Sequence, residues 1–435
     1  MLKRIKIQNY KSFQNIDITL NPLTVLFGPN AAGKSNFLDA LQLLSRIAAS
    51  RTLKEAFESP YRGKPLESFS FGETGLRGLL NRETISFSIE ADIELSNSVV
   101  KSVNQQILEM KKSKVMDGKT AADATNQSFV REKNLRYRIE IEILPKSGIL
   151  RISDEYLAAL NNKGEIAKNR KPFFEKVRNR LHLRMEGQAH PVYYDQYLDH
   201  SLLSMPLYPP HYPHVVAMRQ ELASWFFFYF EPRERMRAPN TVKEVRHIGM
   251  MGEDLASFLN TLRALDERQF KSVEKALHMI IPTVNGIDVG VNDLGEVELK
   301  LIEGKTPIPS RLLSEGTLRV LGLLALGGAK EPPALLGFEE PENGIHPRRI
   351  RMIADLLKNR TASGETQLIV TTHSPILPDM LSDENLFVCL KEHGQTVIKP
   401  FLTWGPLGRE DDIDKFLNAE ELSASERIMR GDFDA

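Results

Sequence analysis

Gly28-Pro29-Asn30-Ala31-Ala32-Gly33-Lys34-Ser35 is a complete G-x-x-x-x-G-K-S phosphate loop. It follows the apolar run Leu23-Thr24-Val25-Leu26-Phe27 and opens the helical pattern Asn36-Phe37-Leu38-Asp39-Ala40-Leu41-Gln42-Leu43-Leu44. A chance glycine-rich turn has no reason to carry that strand and helix. Glycines let successive backbone N–H groups turn inward around phosphates, and the following helix points its positive end at the same anions. Lys34 is placed to reach the β and γ phosphates, and the Ser35 hydroxyl to hold a partly hydrated Mg²⁺. The stretch predicts a nucleoside triphosphate site.

Outward from the loop, composition sets limits. A chain of 435 residues, 41% of them hydrophobic, is long enough for about two or three domains. Lys+Arg and Asp+Glu both number 57, so the formal net charge is zero and global attraction to nucleic acid is excluded, though a local basic face is not. The single cysteine, Cys389, lies in the apolar run Leu386 to Leu390 and reads as a strand core residue. One cysteine forms no internal disulfide and no multi-cysteine zinc site. The N-terminal Met1-Leu2-Lys3-Arg4-Ile5-Lys6-Ile7 alternates like a strand rather than a signal peptide, and apolar runs such as Val320 to Ala329 are far short of a membrane span. The expectation is a soluble cytoplasmic protein with no membrane partner.

The chain opens with three short strands. Ile5 and Ile7 share one face, with Leu2 out of phase; Ile16 to Leu20 alternates; Asn21-Pro22 then turns into the loop strand. Residues 51 to 83 lack a period and are expected to cross the nucleotide site. Alternation returns over Thr84 to Leu95 and Leu135 to Leu144, with further β content at Ile149 to Ile152 and Leu181 to Met185. Between them, about Met110 to Asn134 reads as a mobile polar surface excursion. Val215 to Ser224, Asp254 to Leu265 and Phe270 to Ile281 have helical spacing. Trp225-Phe226-Phe227-Phe228-Tyr229-Phe230 could stack bases, but a continuous aromatic run favours a strand buried on both faces. No sustained heptad pattern predicts a long coiled coil.

Three more constellations carry chemistry. In Leu312-Leu313-Ser314-Glu315-Gly316-Thr317-Leu318-Arg319 a Ser-x-Gly turn opens an apolar helix, a second helix N-terminus able to receive phosphate. In Leu335-Leu336-Gly337-Phe338-Glu339-Glu340-Pro341-Glu342 an apolar strand ends in clustered acids. That arrangement places one carboxylate near the magnesium shell and the next where it can orient and polarise water. In Gln367-Leu368-Ile369-Val370-Thr371-Thr372-His373-Ser374 a third buried strand ends in a histidine, predicted to sit at the same carboxyl edge of a parallel sheet and to contact the γ-phosphate.

The ordered set GPNAAGKS, LLSEGT, LLGFEEPENGIHP and IVTTHSP resembles the ABC-type ATPases of the SMC and RecF group, and more narrowly their OLD-like branch of AAA-family ATPases. The resemblance covers roughly residues 1 to 50 and 305 to 390. It implies an α/β fold: an ABC-type ATPase head, a mixed sheet with a phosphate loop, interrupted by an inserted β and helical region. The expected organisation is an N-terminal lobe over 1–95, the insertion over 96–304, a C-terminal lobe over 305–400 and a tail over 401–435. By residue it implies a Walker A nucleotide site of Gly28, Pro29, Asn30, Ala31, Ala32, Gly33, Lys34 and Ser35, and a signature of Ser314, Glu315 and Gly316. It further implies a Walker B metal carboxylate at Glu339, a catalytic carboxylate at Glu340 and a switch histidine at His373. Ser35 and Glu339 would hold Mg²⁺, with ATP as substrate. Asn343 to His346 would approach a second subunit, since family members sandwich two ATP molecules between head-to-tail heads.

Three departures stand out. Glu315 occupies a position where many ABC proteins have Gly, Glu339 replaces the usual Asp, and no Gln between Tyr61 and Leu95 fills the glutamine-loop role. The absence of heptads and of Cys-x-x-Cys separates the chain from true SMC and zinc-hook proteins. OLD nucleases continue into a Toprim domain, whereas about 45 residues beyond Leu390 are too few for one. The acidic Glu410, Asp411, Asp412 and Asp414 read as a solvated helix start. The expected function is an ATP-driven dimeric switch, open to higher oligomers, for a separately encoded nuclease or toxin effector, in a bacterial setting such as anti-phage defence. The alternatives are a RecF-like ATPase that binds DNA and a nucleotide-sensing scaffold with negligible turnover.

Overall fold

The computed structural model describes the chain except residues 72–74, 113–127, 189, 196, 329–332, 405–422 and 431–435. Most of the expected polar excursion and the acidic cluster at Glu410 to Asp414 lie outside the described residues. β1 (Leu2–Tyr10) and β2 (Phe13–Thr19) pair antiparallel, and β3 (Leu23–Phe27) leads to α1 (Lys34–Ala49). Ile5 and Ile7 are buried together as their alternation predicts. Leu2 is buried as well, because a register shift between Leu2 and Arg4, opposite β4, turns it to the same face.

After the short helices α2 (Leu53–Ala56) and α3 (Gly75–Leu80), β4 (Ile85–Glu94) and α4 (Asn97–Lys112) precede a run of strands. These are β5 (Asn134–Leu144), β6 (Ile149–Ala159), β7 (Phe174–Val177), β8 (Arg180–Leu183) and β9 (Val192–Asp195). With the first hairpin they form an eight-stranded antiparallel sheet in the order β2-β1-β4-β5-β6-β7-β8-β9. Strict alternation along β5, with Ile139 opposite Ile89, puts one face on the core and the other in solvent.

α5 (Pro213–Ala223) leads into β10 (Trp225–Phe228). β11 (Asn240–Thr241), α6 (Leu255–Leu265), α7 (Glu267–Ile280), β12 (Val284–Val291), β13 (Glu296–Glu303) and β14 (Thr306–Pro309) follow, the four strands among them forming a small sheet around β13. The chain then runs through α8 (Glu315–Ala325), β15 (Leu335–Glu339), α9 (Pro347–Ala362), β16 (Gln367–Thr372), β17 (Leu386–Glu392), β18 (Gln395–Pro400) and α10 (Ala424–Arg430).

The central sheet has the order β10-β15-β16-β3-β17-β18, parallel throughout except for β18. Its inner strands β3, β15 and β16 are largely apolar runs because both faces are covered, whereas the edge strand β18 alternates. Leu26, Leu335, Ile369 and Phe387 face a core shared with α1 and the eight-stranded sheet, while Val25, Leu336, Val370 and Val388 face one shared with α6 to α9. The aromatic run divides in the same way, Trp225 and Phe227 to the first core, Phe228 and Phe230 to the second. Although β10 falls within the expected 96–304 insertion, it pairs with β15 in the central sheet, and β4 and β5 pair across residue 95. None of the described helices is long and apolar enough to cross a membrane.

Candidate functional site

The carboxyl ends of β3, β15 and β16 lie side by side, where open α/β sheets take ligands. The loop after β3 is held in a shape that its glycines make available. Gly28 has φ 145° and Gly33 φ 107°. A Cβ on Gly28 would come within 2.0 Å of the Cys389 carbonyl oxygen, and one on Gly33 within 2.3 Å of Thr396 Oγ1. Thus β17 and β18 press on the loop from behind and leave its backbone facing outward. Ala31 also has positive φ, at 62°, which completes the turn over Pro29 and Asn30. Ala32 is buried beneath it, its carbonyl accepting from Thr396 Oγ1 at 2.7 Å.

Lys34 begins α1, only 8% exposed, and its ammonium donates to the carbonyls of Gly28 and Pro29, both at 2.8 Å. Burial lowers its pKa, opposed by Cys389 and by the acids Glu340, Glu339 and Glu342. The Ser35 hydroxyl donates to Glu339 Oε1, joining the first turn of α1 to the end of β15. Immediately after Glu339 the chain turns sharply: Glu340 has φ 50°, a left-handed conformation rare for a non-glycine residue. That turn sends its carboxylate toward β16, where Oε1 lies 2.7 Å from His373 Nδ1, while Asn343 donates to Oε2 at 3.3 Å. The structure therefore brings Lys34, Ser35, Glu339, Glu340 and His373 into one cluster.

Ser314, Glu315 and Gly316 sit apart, at the start of α8. Ser314 caps that helix by accepting from the Thr317 N–H at 3.1 Å, and Glu315 pairs with Arg233 at 2.7 Å. A Cβ on Gly316 would come within 2.3 Å of the Gly344 carbonyl oxygen, so the signature turn packs directly on the Asn343 to His346 loop. Among the described residues the signature turn makes no hydrogen bond to the phosphate loop of its own chain.

Sequence reasoning gave no role to four participants, Arg62, Lys11, Asp39 and Glu342. Arg62, from the irregular segment after α1, donates to Glu339 Oε2 at 2.6 Å and to Asp39 Oδ1 at 2.8 Å. Lys11 holds the other Asp39 oxygen at 2.7 Å. Asp39 lies one turn beyond Ser35 on α1, a spacing that signals a shared face. Glu342, 5% exposed, accepts from Thr372 Oγ1, and burial raises its pKa; its Oε2 has no hydrogen-bond partner.

The residues fit a magnesium nucleotide. The two glycines let the loop lie flat on β17 and β18 with its backbone facing outward, the ammonium of Lys34 lies across it, and the oxygen-only pair Ser35 and Glu339 suits a hard cation that keeps most of its waters.

Comparison with known proteins places these features in a family. The family model described as an AAA domain, putative AbiEii toxin, Type IV TA system, matches residues 23–379. An OLD nuclease of Thermus scotoductus is 46% identical over 44 residues, 10% of this chain and 8% of that protein. The DNA replication and repair protein RecF of Streptococcus uberis is 32% identical over 97 residues, 22% of this chain and 24% of that protein. The chain thus spans under a quarter of each of these two relatives. An ATP/GTP phosphatase of Helicobacter pylori is 21% identical over 421 residues, 92% of this chain and 94% of that protein.

Proposed function

We propose, from the premise that this chain belongs to the AAA-domain family described as putative AbiEii toxin, Type IV TA system, that it binds and hydrolyses ATP as a dimerising switch for a separately encoded effector, a nuclease or toxin. The observation that carries this reading is the convergence of Lys34, Ser35, Glu339, Glu340 and His373 at adjoining strand ends. The loop N–H groups and Lys34 bind the phosphates. Mg²⁺ held by Ser35 and Glu339 would neutralise charge on the triphosphate. Glu340, aimed by its left-handed backbone and by His373, orients water and withdraws its proton.

The signature turn is exposed at Ser314 and directs no hydrogen bond to its own phosphate loop, which suits a role at the site of a second chain. ATP then joins two heads and hydrolysis releases them, giving two states that an effector can distinguish. The β and helical region over 96–304 is where we place effector contact, in the cytoplasm of a bacterium defending itself against phage.

Glu340→Gln tests the reading. Turnover should fall by about 10² to 10⁴, ATP affinity in calorimetry should persist, and light scattering should show an ATP-dependent dimer that Ser314→Arg prevents. Wild-type turnover by Glu340→Gln would remove the role given to this carboxylate. A second reading, an ATPase acting on DNA, is supported by the RecF relative. Salt-dependent duplex binding by the chain alone would favour it.

A further inference from the structure

The segment Glu231-Pro232-Arg233-Glu234-Arg235-Met236-Arg237 brings two arginines, Arg233 and Arg237, to the signature turn. It is mounted on the signature helix from behind. Met236 is 3% exposed, and a Cβ on Gly322 of α8 would come within 2.9 Å of both Met236 Cε and the Phe230 ring. Glycine at 322 is what lets this methionine seat on the helix. From that mount Arg237 donates to the Leu313 carbonyl at 2.6 Å, beside the Ser314 cap. Arg233 reaches the other side of the turn, its Nε 2.7 Å from Glu315 Oε1. Its side chain is 77% exposed, so the pair lies in solvent.

An ion pair in solvent adds little to stability, so Arg233 can leave Glu315 for a stronger partner at little cost. A triphosphate is such a partner, since guanidinium bonds to phosphate are charge-assisted and can be bidentate. Glu315 explains why the arginine is parked where it is. It takes the place of the glycine common in ABC signatures and sits in the first turn of α8, where the helix dipole favours a carboxylate. It thus holds a cation beside the residues that would meet a second chain's ATP. The Gly316 to Gly344 contact joins this corner to the loop expected at the subunit junction.

We infer that Arg233 is a nucleotide-binding residue supplied in trans: when two heads close, it exchanges Glu315 for the triphosphate held by the phosphate loop of the other copy. The inference rests on the head-pairing reading above. It assigns to the Glu231 to Arg237 segment a role in sensing that ATP is present on the partner.

The test uses the full chain carrying Glu340→Gln, in which ATP-dependent closure is followed by light scattering. Adding Arg233→Ala should raise the ATP concentration for half-maximal closure about tenfold, the loss expected for one charge-assisted contact of about 1.4 kcal/mol. Arg233→Lys should recover part of that loss, whereas Arg233→Gln should not, because a point charge serves a phosphate and a neutral amide does not. An unchanged closure midpoint in Arg233→Ala would overturn the inference while leaving head pairing intact. Failure of the Glu340→Gln chain itself to close with ATP would overturn head pairing, and this inference with it.

Discussion

At the scale of single residues, the phosphate loop is fixed as much by what presses on it as by its own sequence. Gly28 is the sharpest case, since its φ of 145° and the Cys389 carbonyl behind it leave no room for a methyl group. Gly28→Ala should therefore lower stability by at least about 1 to 3 kcal/mol, the range for a backbone forced into such a region. Chemical denaturation should show this, together with weakened ATP binding. The residues Lys34, Ser35, Glu339, Glu340 and His373 were legible because their chemistry demands those types at the ends of apolar strands. Arg62 and Asp39 were not. Asp39 lay inside a plain helical pattern, and Arg62 in a segment with no period. Only the folded chain shows that Arg62 reaches Glu339 from a point 277 positions away in sequence.

At the scale of elements, alternation served well where one face was buried, as along β4 and β5, and the first four residues of the aromatic run form β10. The register shift that buries Leu2 has no counterpart in the pattern, because a bulge is decided by the partner strand. Nor does alternation reveal the polar lock inside the eight-stranded sheet. Glu155 of β6 is fully buried and accepts from Tyr137 Oη of β5 at 2.8 Å, from Ser201 Oγ and from the Leu202 N–H at 2.9 Å. Burial raises its pKa above the ordinary 4.5, against the hydrogen bonds that favour the charged form. Below the ordinary value both folded and unfolded chains hold the proton. As pH climbs through it the unfolded chain ionises first, so stability falls until the native carboxyl titrates too. Denaturant midpoints measured from about pH 4 to pH 8 should show this decline, and Glu155→Gln should flatten it.

At the scale of the whole molecule, the central parallel sheet separates two cores, and β3 contributes Leu26 to one and Val25 with Phe27 to the other. The phosphate loop thus springs from a strand clamped on both faces, and ATP bound there holds both layers together. MgATP at about a hundred times its dissociation constant should stabilise the fold by about 2.7 kcal/mol. A rise in the thermal unfolding temperature would report this, and Lys34→Ala should abolish most of that rise. The motifs announced such a sheet, but its strand order was hidden: β10, β15, β16, β3 and β17 are neighbours drawn from distant parts of the chain, and parallel pairing leaves no hairpin signal.

The contact between Cys389 and the loop has a practical side. Its thiol is wholly buried, pushed up to about 12 by that burial, and lies 3.5 Å from the Ala32 carbonyl. An alkylating reagent can reach it only when β17 parts from the loop, so its rate of modification is a built-in clock for opening at the nucleotide site. As it is the chain's single cysteine, that clock runs without background. A second cysteine engineered on the surface would react long before it, and so accept a fluorophore at one chosen position in the otherwise native sequence.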